Sequence, residues 1–316
     1  MTTNLSKEIG GYFGLDIKTG NYENLPVHSV ALNTARNCLR YLIRAYNIKK
    51  INVPYYTCPV IIEAIEKEDC EIEFYHIDEH FIPEKSFSNE DYILYTNYFG
   101  ICAETVKTLS KKYRNLIIDN AQAYYMPKYG LASFNSARKF LGVPDGAFLT
   151  CDKKLSEDLD LDKTSVNRFS HLLKRIDTNA QCGYEDYKNN DELLRYEDIK
   201  LMSNLTKALI NNHNSEVDKL KRKENFEYLH RHLKESNNLK ININNEDIPM
   251  VYPYLVKNGK ELKQKLIKNN IYVATYWNAI NLNEVEQNFQ DNLVPLPIDY
   301  RYGVVEMDRM VLIVKD

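Results

Sequence analysis

The stretch Leu116-Ile117-Ile118-Asp119-Asn120-Ala121-Gln122-Ala123 decides how this chain is read. Three consecutive aliphatic residues make a short strand apolar on both faces, the kind found in parallel sheets covered by helices. Asp119 then stands at the carboxyl end of that strand. In open α/β sheets ligands bind in the crevice outside the carboxyl ends of the strands. A carboxylate at that position either faces such a crevice or caps a following helix, and this segment alone leaves both open.

Upstream, residues 34–46 carry Ala35, Cys38, Leu39, Leu42, Ile43 and Tyr46 at helical spacing. Residues 51–54 read as a short buried strand ended by proline. Pro59 sits where the first turn of a helix accepts it, ahead of Val60, Ile61, Ala64 and Ile65. Strands are expected at 71–77, 92–96 and 146–151, and a helix at 105–113. This alternation predicts an α/β fold, a mostly parallel central sheet flanked by helices on both faces. Downstream, 152–197 is polar and supports no assignment. Leu201, Met202, Leu205, Ala208 and Leu209 form one helical stripe, and Ser215 with Asp218 predicts a capping box for a second, longer helix. Strands at 248–256 and 271–275 around a helix at 260–268 predict a small C-terminal α+β domain. The expected division is 1–215, a large domain with its N-terminal segment, and 216–316.

Among 316 residues, 41 Lys and Arg against 44 Asp and Glu leave a net charge of −3, so no global field draws the chain to nucleic acid or an anionic membrane. No G-x-G-x-x-G follows any expected strand, which argues against a nicotinamide dehydrogenase. The six cysteines (Cys38, Cys58, Cys70, Cys102, Cys151 and Cys182) form no CxxC pair. Residues 1–20 carry no secretory apolar region and no apolar run reaches a membrane span, so a cytoplasmic protein is expected. His76 and His80 fall on a strand and a turn, and His230 and His232 point to different helix faces, so no metal site is expected.

Lys139 lies twenty residues past Asp119, in Ser133-Phe134-Asn135-Ser136-Ala137-Arg138-Lys139-Phe140, which leads into Gly142-Val143-Pro144-Asp145-Gly146-Ala147. A lysine desolvated beside a crevice becomes a usable amine nucleophile; a surface lysine beside Arg138 is the plainer reading of that segment by itself. Asn33-Thr34-Ala35-Arg36 opens a helix, where backbone N–H groups and the dipole suit a phosphate and Arg36 adds a charge-assisted donor. Val53-Pro54-Tyr55-Tyr56-Thr57-Cys58 brings two aromatics near it. Anion pocket, stacking surface, strand-end carboxylate and amine together describe a site for pyridoxal phosphate (PLP).

This ordered set resembles the DegT/DnrJ/EryC1/StrS aminotransferases, the sugar aminotransferases of the fold-type-I PLP enzymes, over most of the chain. Asn33-Thr34-Ala35-Arg36-Asn37-Cys38-Leu39 is similar to the family's phosphate-binding helix start. Pro54-Tyr55-Tyr56-Thr57 is similar to its P-x-x-T turn, Asn97-Tyr98-Phe99-Gly100 to its aromatic-glycine turn, and Asp119-Asn120-Ala121-Gln122-Ala123 to its D-x-A-Q-A element. Lys139 before Asp145-Gly146-Ala147 matches the Schiff-base lysine before an acidic-Gly-small turn. The resemblance implies the PLP-transferase fold type I, with Lys139 and Asp119 catalytic and Asp119 at the pyridine nitrogen. It implies a cofactor shell of Thr34, Ala35, Arg36, Tyr56, Cys58, Asn97, Gln122, Ser133 and Ser136. Tyr12, Arg138 and Arg301 are the expected substrate contacts; the alternative for Arg301 is a structural arginine stacked on its flanking tyrosines, and Gly10 to Phe13 either cover the site as a lid or pack on the sheet.

The departures are specific. Cys58 stands where the family has its stacking aromatic, which leaves stacking to Tyr55, Tyr56 or Tyr98 among the 24 tyrosines. Phe134 stands where the family has a phosphate-binding Ser, and 199–203 offers no Asn of the kind a partner subunit lends to the phosphate. The implied activity is transfer of an amino group, from glutamate by family analogy, to a nucleotide-linked keto-sugar of surface polysaccharide or amino-sugar biosynthesis, in a homodimer. Rival readings are the family's dehydratase branch, which has His in place of the lysine, a catalytically silent PLP binder, and a non-nucleotide keto substrate.

Overall fold

Local chemistry sets the elements, and the parallel half of the sheet follows from it. Thr34 opens the first helix: its Oγ1 accepts the Asn37 N–H at 3.2 Å, and Asn47 closes it in the left-handed conformation (φ 53°). The computed structural model describes residues 9–20, 25–26 and 28–316. The strands are β1 (Val30–Leu32), β2 (Lys50–Pro54), β3 (Glu71–Tyr75), β4 (Tyr92–Thr96), β5 (Leu116–Asn120), β6 (Ala132–Asn135), β7 (Ala147–Cys151), β8 (Val251–Leu255) and β9 (Leu293–Pro297). The helices are α1 (Ala35–Tyr46), α2 (Pro59–Glu66), α3 (Ala103–Lys112), α4 (Ser170–Asp177), α5 (Tyr184–Arg195), α6 (Asn204–Asn211), α7 (Ser215–Leu233), α8 (Gly259–Lys268), α9 (Glu284–Asn292) and α10 (Val304–Lys315).

The main sheet has the order β1-β7-β6-β5-β4-β2-β3. Strands β3, β2, β4, β5 and β6 run parallel, and β7 is antiparallel to β6 and β1. The central strand β5 explains its own apolar run. Ile117 packs on one face with Leu39, Leu42 and Ile65 of α1 and α2, while Leu116 and Ile118 pack on the other with Val106 and Leu109 of α3. Side chains alternate along a strand, so a sheet covered on both faces needs apolar residues at every position.

Strands β8 and β9 form a separate antiparallel pair. Helices α7, α8 and α10 cover it, burying Phe226, Leu229, Leu266, Met307 and Met310 against Tyr252 and Val294. Three expectations change here. Residues 271–280 are irregular, and the partner of β8 is β9, whose Pro295 and Pro297 suit a two-stranded edge that needs few N–H donors. The cap of α7 is Asn214, which accepts the Val217 N–H at 3.2 Å, while Asp218 is buried against Arg222 at 2.7 Å. The unassigned polar stretch 152–197 holds α4 and α5. Strands β1 and β6, too short to show a period, went unforeseen.

Candidate active site

Parallel pairing aligns the carboxyl ends of β4, β5 and β6, with Thr96 opposite Asp119 and Asp119 opposite Phe134. Asp119 is 5% exposed and its Oδ1 accepts the Ala121 N–H at 2.8 Å. Burial pushes this carboxyl above its ordinary value, against the opposing pull of Lys139 and the Ala121 N–H. Lys139 ends a 3-10 turn (Ala137–Lys139), and both residues line one cavity of 610 Å³. The lysine side is exposed rather than desolvated, because its neighbour Phe140 takes the apolar position and packs into the core with Tyr124 and Phe148.

The first turn of α1 borders the same cavity through Thr34, Ala35 and Arg36. The Thr34 Oγ1 accepts the cap hydrogen bond and keeps its O–H to donate, and Ala35 and Arg36 present the first backbone N–H groups of the helix. Arg138 lies across from them. Its Nη1 donates to Asp191 Oδ1 at 2.9 Å, and its guanidinium lies 5.6 Å from the Tyr187 ring centre. Burial lowers the Arg36 pKa, with Asp191 and Glu63 acting the other way. Two buried nitrogens, Arg36 Nη1 and Arg138 Nη2, have no hydrogen-bond partner among the described residues. Two guanidiniums around one shared carboxylate, with spare donors, suit an anion.

Of the remaining expected residues, Cys58, Ser136 and Arg301 also line the cavity. Burial raises the Cys58 thiol. The Arg301 fork is already occupied by Asp299 of its own chain, Nε to Oδ1 at 2.6 Å and Nη2 to Oδ2 at 2.9 Å. Asp299 takes that one side of the guanidinium only, which leaves the Nη1 and Nη2 end as a second donor pair. Tyr56, Asn97, Gln122, Ser133 and Tyr12 lie elsewhere. Tyr56 is fully buried and donates to the Tyr276 carbonyl at 2.7 Å. Asn97 Oδ1 accepts the Cys102 N–H at 3.2 Å, and Gln122 Oε1 accepts the Phe99 N–H at 2.7 Å. Ser133 faces a second cavity of 1260 Å³, because it is one residue away from Phe134 on a pleated strand and three from Ser136. Tyr12 and Phe13 are fully exposed and border neither.

Of the tyrosines proposed as stacking substitutes, Tyr56 and Tyr98 are in the core and Tyr55 is half-buried, and none borders the cavity. Tyr55 stacks on Phe74 and His76, and Tyr98 lies against Tyr56 and Phe81. The aromatic wall of the cavity is instead Tyr187, Tyr272, Tyr276 and Trp277. Sequence reasoning missed all four, along with Asp191, because 271–275 was read as a strand and α5 was hidden in a polar stretch. The chain's single Trp, beside a Tyr, was the available signal.

No family model and no curated protein matches the sequence. Solved structures do match in fold. A DegT DnrJ EryC1 StrS aminotransferase from Brucella abortus superposes with a TM-score of 0.61 at 13% identity, over 91% of this chain and 85% of that one. Helicobacter pylori PseC, an aminotransferase involved in the biosynthesis of pseudoaminic acid, gives 0.64 at 16%, over 91% and 86%. The PLP-form of Spr1654 from Streptococcus pneumoniae gives 0.65 at 13%, over 94% and 91%. At such identities the likeness is one of fold, and the chain has the fold-type-I PLP-transferase architecture that these proteins share.

Proposed function

We propose that this protein is a PLP-dependent aminotransferase that moves an amino group from an amino acid to a keto-sugar. One observation carries the reading: a buried strand-end carboxylate, Asp119, and an amine, Lys139, share a cavity with a helix N-terminus and two arginines that have spare donors. That donor set fits the cofactor. The N–H groups of Ala35 and Arg36, Arg36 Nη1 and Arg138 Nη2 suit a phosphate. Asp119, whose ionisation burial disfavours, suits a cationic ring nitrogen that would restore its charge. PLP bound there supplies an electron sink for charge developing on the substrate's α-carbon.

The chain's own groups do the rest. Lys139 Nζ would take the proton from the substrate's α-carbon as general base and hand it back, as general acid, to the cofactor carbon two bonds away. Asp119 holds a proton on the ring nitrogen. Arg36 and Arg138 anchor the anion, and Tyr276 and Trp277 close one side of the cavity to water. The finer reading, a nucleotide-linked acceptor and a glutamate donor, rests on the family resemblance and on solved proteins such as PseC. We extend it to a cytoplasmic homodimer in which 1–215 and 216–316 act as large and small domains. Among the described residues no helix is long and apolar enough to cross a membrane.

A silent PLP binder is the second reading, favoured by the position of Gln122 outside the cavity. One experiment separates the two. The protein is incubated with PLP, reduced with borohydride and digested, and the cofactor label is located by mass spectrometry. A label on Lys139, absent from Lys139→Ala, is expected; no label on the wild type refutes both readings. Glutamate added before reduction should release the label as the free amine form, and a silent binder would keep it.

A further inference from the structure

Behind the wall that carries Lys139 lies a buried ionic cluster with no part in the chemistry above. Asp145 is fully buried and both its oxygens are engaged. Oδ2 accepts Arg168 Nε at 3.2 Å, Arg168 Nη2 at 2.7 Å and the Ser165 hydroxyl; Oδ1 accepts the Thr206 hydroxyl at 2.5 Å. Arg168, 3% exposed, also binds Asp162 through Nη2 at 2.5 Å and Glu197 through Nη1 at 3.2 Å. Replacing buried ion clusters with apolar side chains is often neutral or stabilising, so stability alone is a weak reason for one.

Its position supplies a stronger reason. Gly146, next to Asp145, accepts the Ala137 N–H at 3.0 Å, at the start of the turn that ends in Lys139. The Gly146 N–H donates to the Asn33 carbonyl at 2.6 Å, one residue before the cap of α1. This one glycine therefore ties the amine-bearing turn to the anion-binding end of the helix. A second tie runs through Glu197. Its carboxylate is on Arg168, while its carbonyl and that of Asp198 accept Asn37 Nδ2 at 3.2 and 2.7 Å. Asn33 Nδ2 reaches the Asp198 carbonyl at 2.9 Å. One guanidinium thus braces both routes.

We infer that Arg168, acting through Asp145 and Gly146, is a positioning residue that sets the separation between the Lys139 amine and the phosphate donors of α1. The inference rests on the PLP reading. Its signature is selective: PLP must reach amine and phosphate donors at once, whereas pyridoxal, which lacks the phosphate, uses the amine end alone. Loss of the brace should lower the preference for PLP over pyridoxal and leave the pyridoxal reaction nearly unchanged. A merely structural cluster would change both together.

The test is borohydride-trapped labelling of Lys139 by PLP and by pyridoxal, with melting measured in parallel. Arg168→Met is the direct variant. Asp145→Leu/Arg168→Met removes the charges as a pair, and Thr206→Val keeps the shape but deletes one hydrogen bond to Asp145. The PLP-to-pyridoxal ratio should fall about tenfold or more in the Arg168 variants, since a misplacement of about 1 Å can cost about a hundredfold. It should fall less in Thr206→Val. An unchanged ratio in the double variant or in Thr206→Val, with melting near wild type and labelling intact, overturns the inference while leaving the PLP reading standing. No labelling of the wild type removes the reading and the inference with it.

Discussion

Gly146→Ala tests the geometry around the lysine turn most directly. Gly146 has φ +105°, a conformation open to glycine and strained for an L side chain. An added Cβ would stand 2.7 Å from Thr206 Cγ2 and 3.2 Å from Met202 Cε. The methionine end can shift, but Thr206 is held by its bond to Asp145. Backbone strain contributes about 1–3 kcal/mol and overpacking about 1–3 kcal/mol, for a destabilisation of about 2–6 kcal/mol. Thr206→Ser removes the clashing methyl and keeps the hydroxyl. Gly146→Ala/Thr206→Ser should therefore recover the steric part and leave the backbone part. Gly142→Ala is the control, because an added Cβ there meets nothing within 4 Å and no positive φ opposes it. Urea unfolding of the four proteins gives the differences. If Gly146→Ala lies within about 0.5 kcal/mol of wild type, the range of an ordinary surface change, the account of this turn is wrong. If Thr206→Ser gives no recovery, the clash is not the cause.

Three further outcomes are expected. Arg138→Met should weaken PLP binding but leave pyridoxal binding largely unchanged, because it removes a phosphate donor; equilibrium titration of both ligands measures this. Asp119→Asn should raise the melting temperature of the unliganded protein at neutral pH. The folded-state pKa of Asp119 lies above its unfolded value, so its contribution is favourable at low pH and is lost as pH rises through the folded value. The gain from the amide should accordingly shrink as pH falls below the carboxylate range, and a gain independent of pH would contradict the sign. Arg222→Met should cost about 3–5 kcal/mol in urea unfolding, since it strands the fully buried Asp218 that Arg222 now meets at 2.7 Å.

The parallel strands and their helices were legible because their signals are local. The run 116–118, the proline at 59 and the stripe along α1 each act within a few residues. Asp119, Lys139 and the start of α1 could be picked out for the same reason: each sits at an element boundary that local chemistry marks. The wall formed by Tyr187, Tyr272, Tyr276 and Trp277 could not, because it joins α5 to an irregular segment some ninety residues later with no shared period. Nor could the brace on Asp145, which draws Arg168, Ser165 and Thr206 from three separate segments.

By itself, the sequence determined the strands β2 to β5 and β7, the helices α1 to α3 and the groups at their ends, since backbone preference and hydrophobic period operate over one or two turns. Only the tertiary structure decided which side chains share the cavity. Ser136 borders it and Ser133 does not, because the strand pleat sends neighbours to opposite faces. Arg138 Nη1 is held by Asp191, which α5 brings up from 53 residues further along the chain, while its Nη2 has no partner among the described residues. Such differences arise where one segment's surface meets another's, and no local pattern carries them.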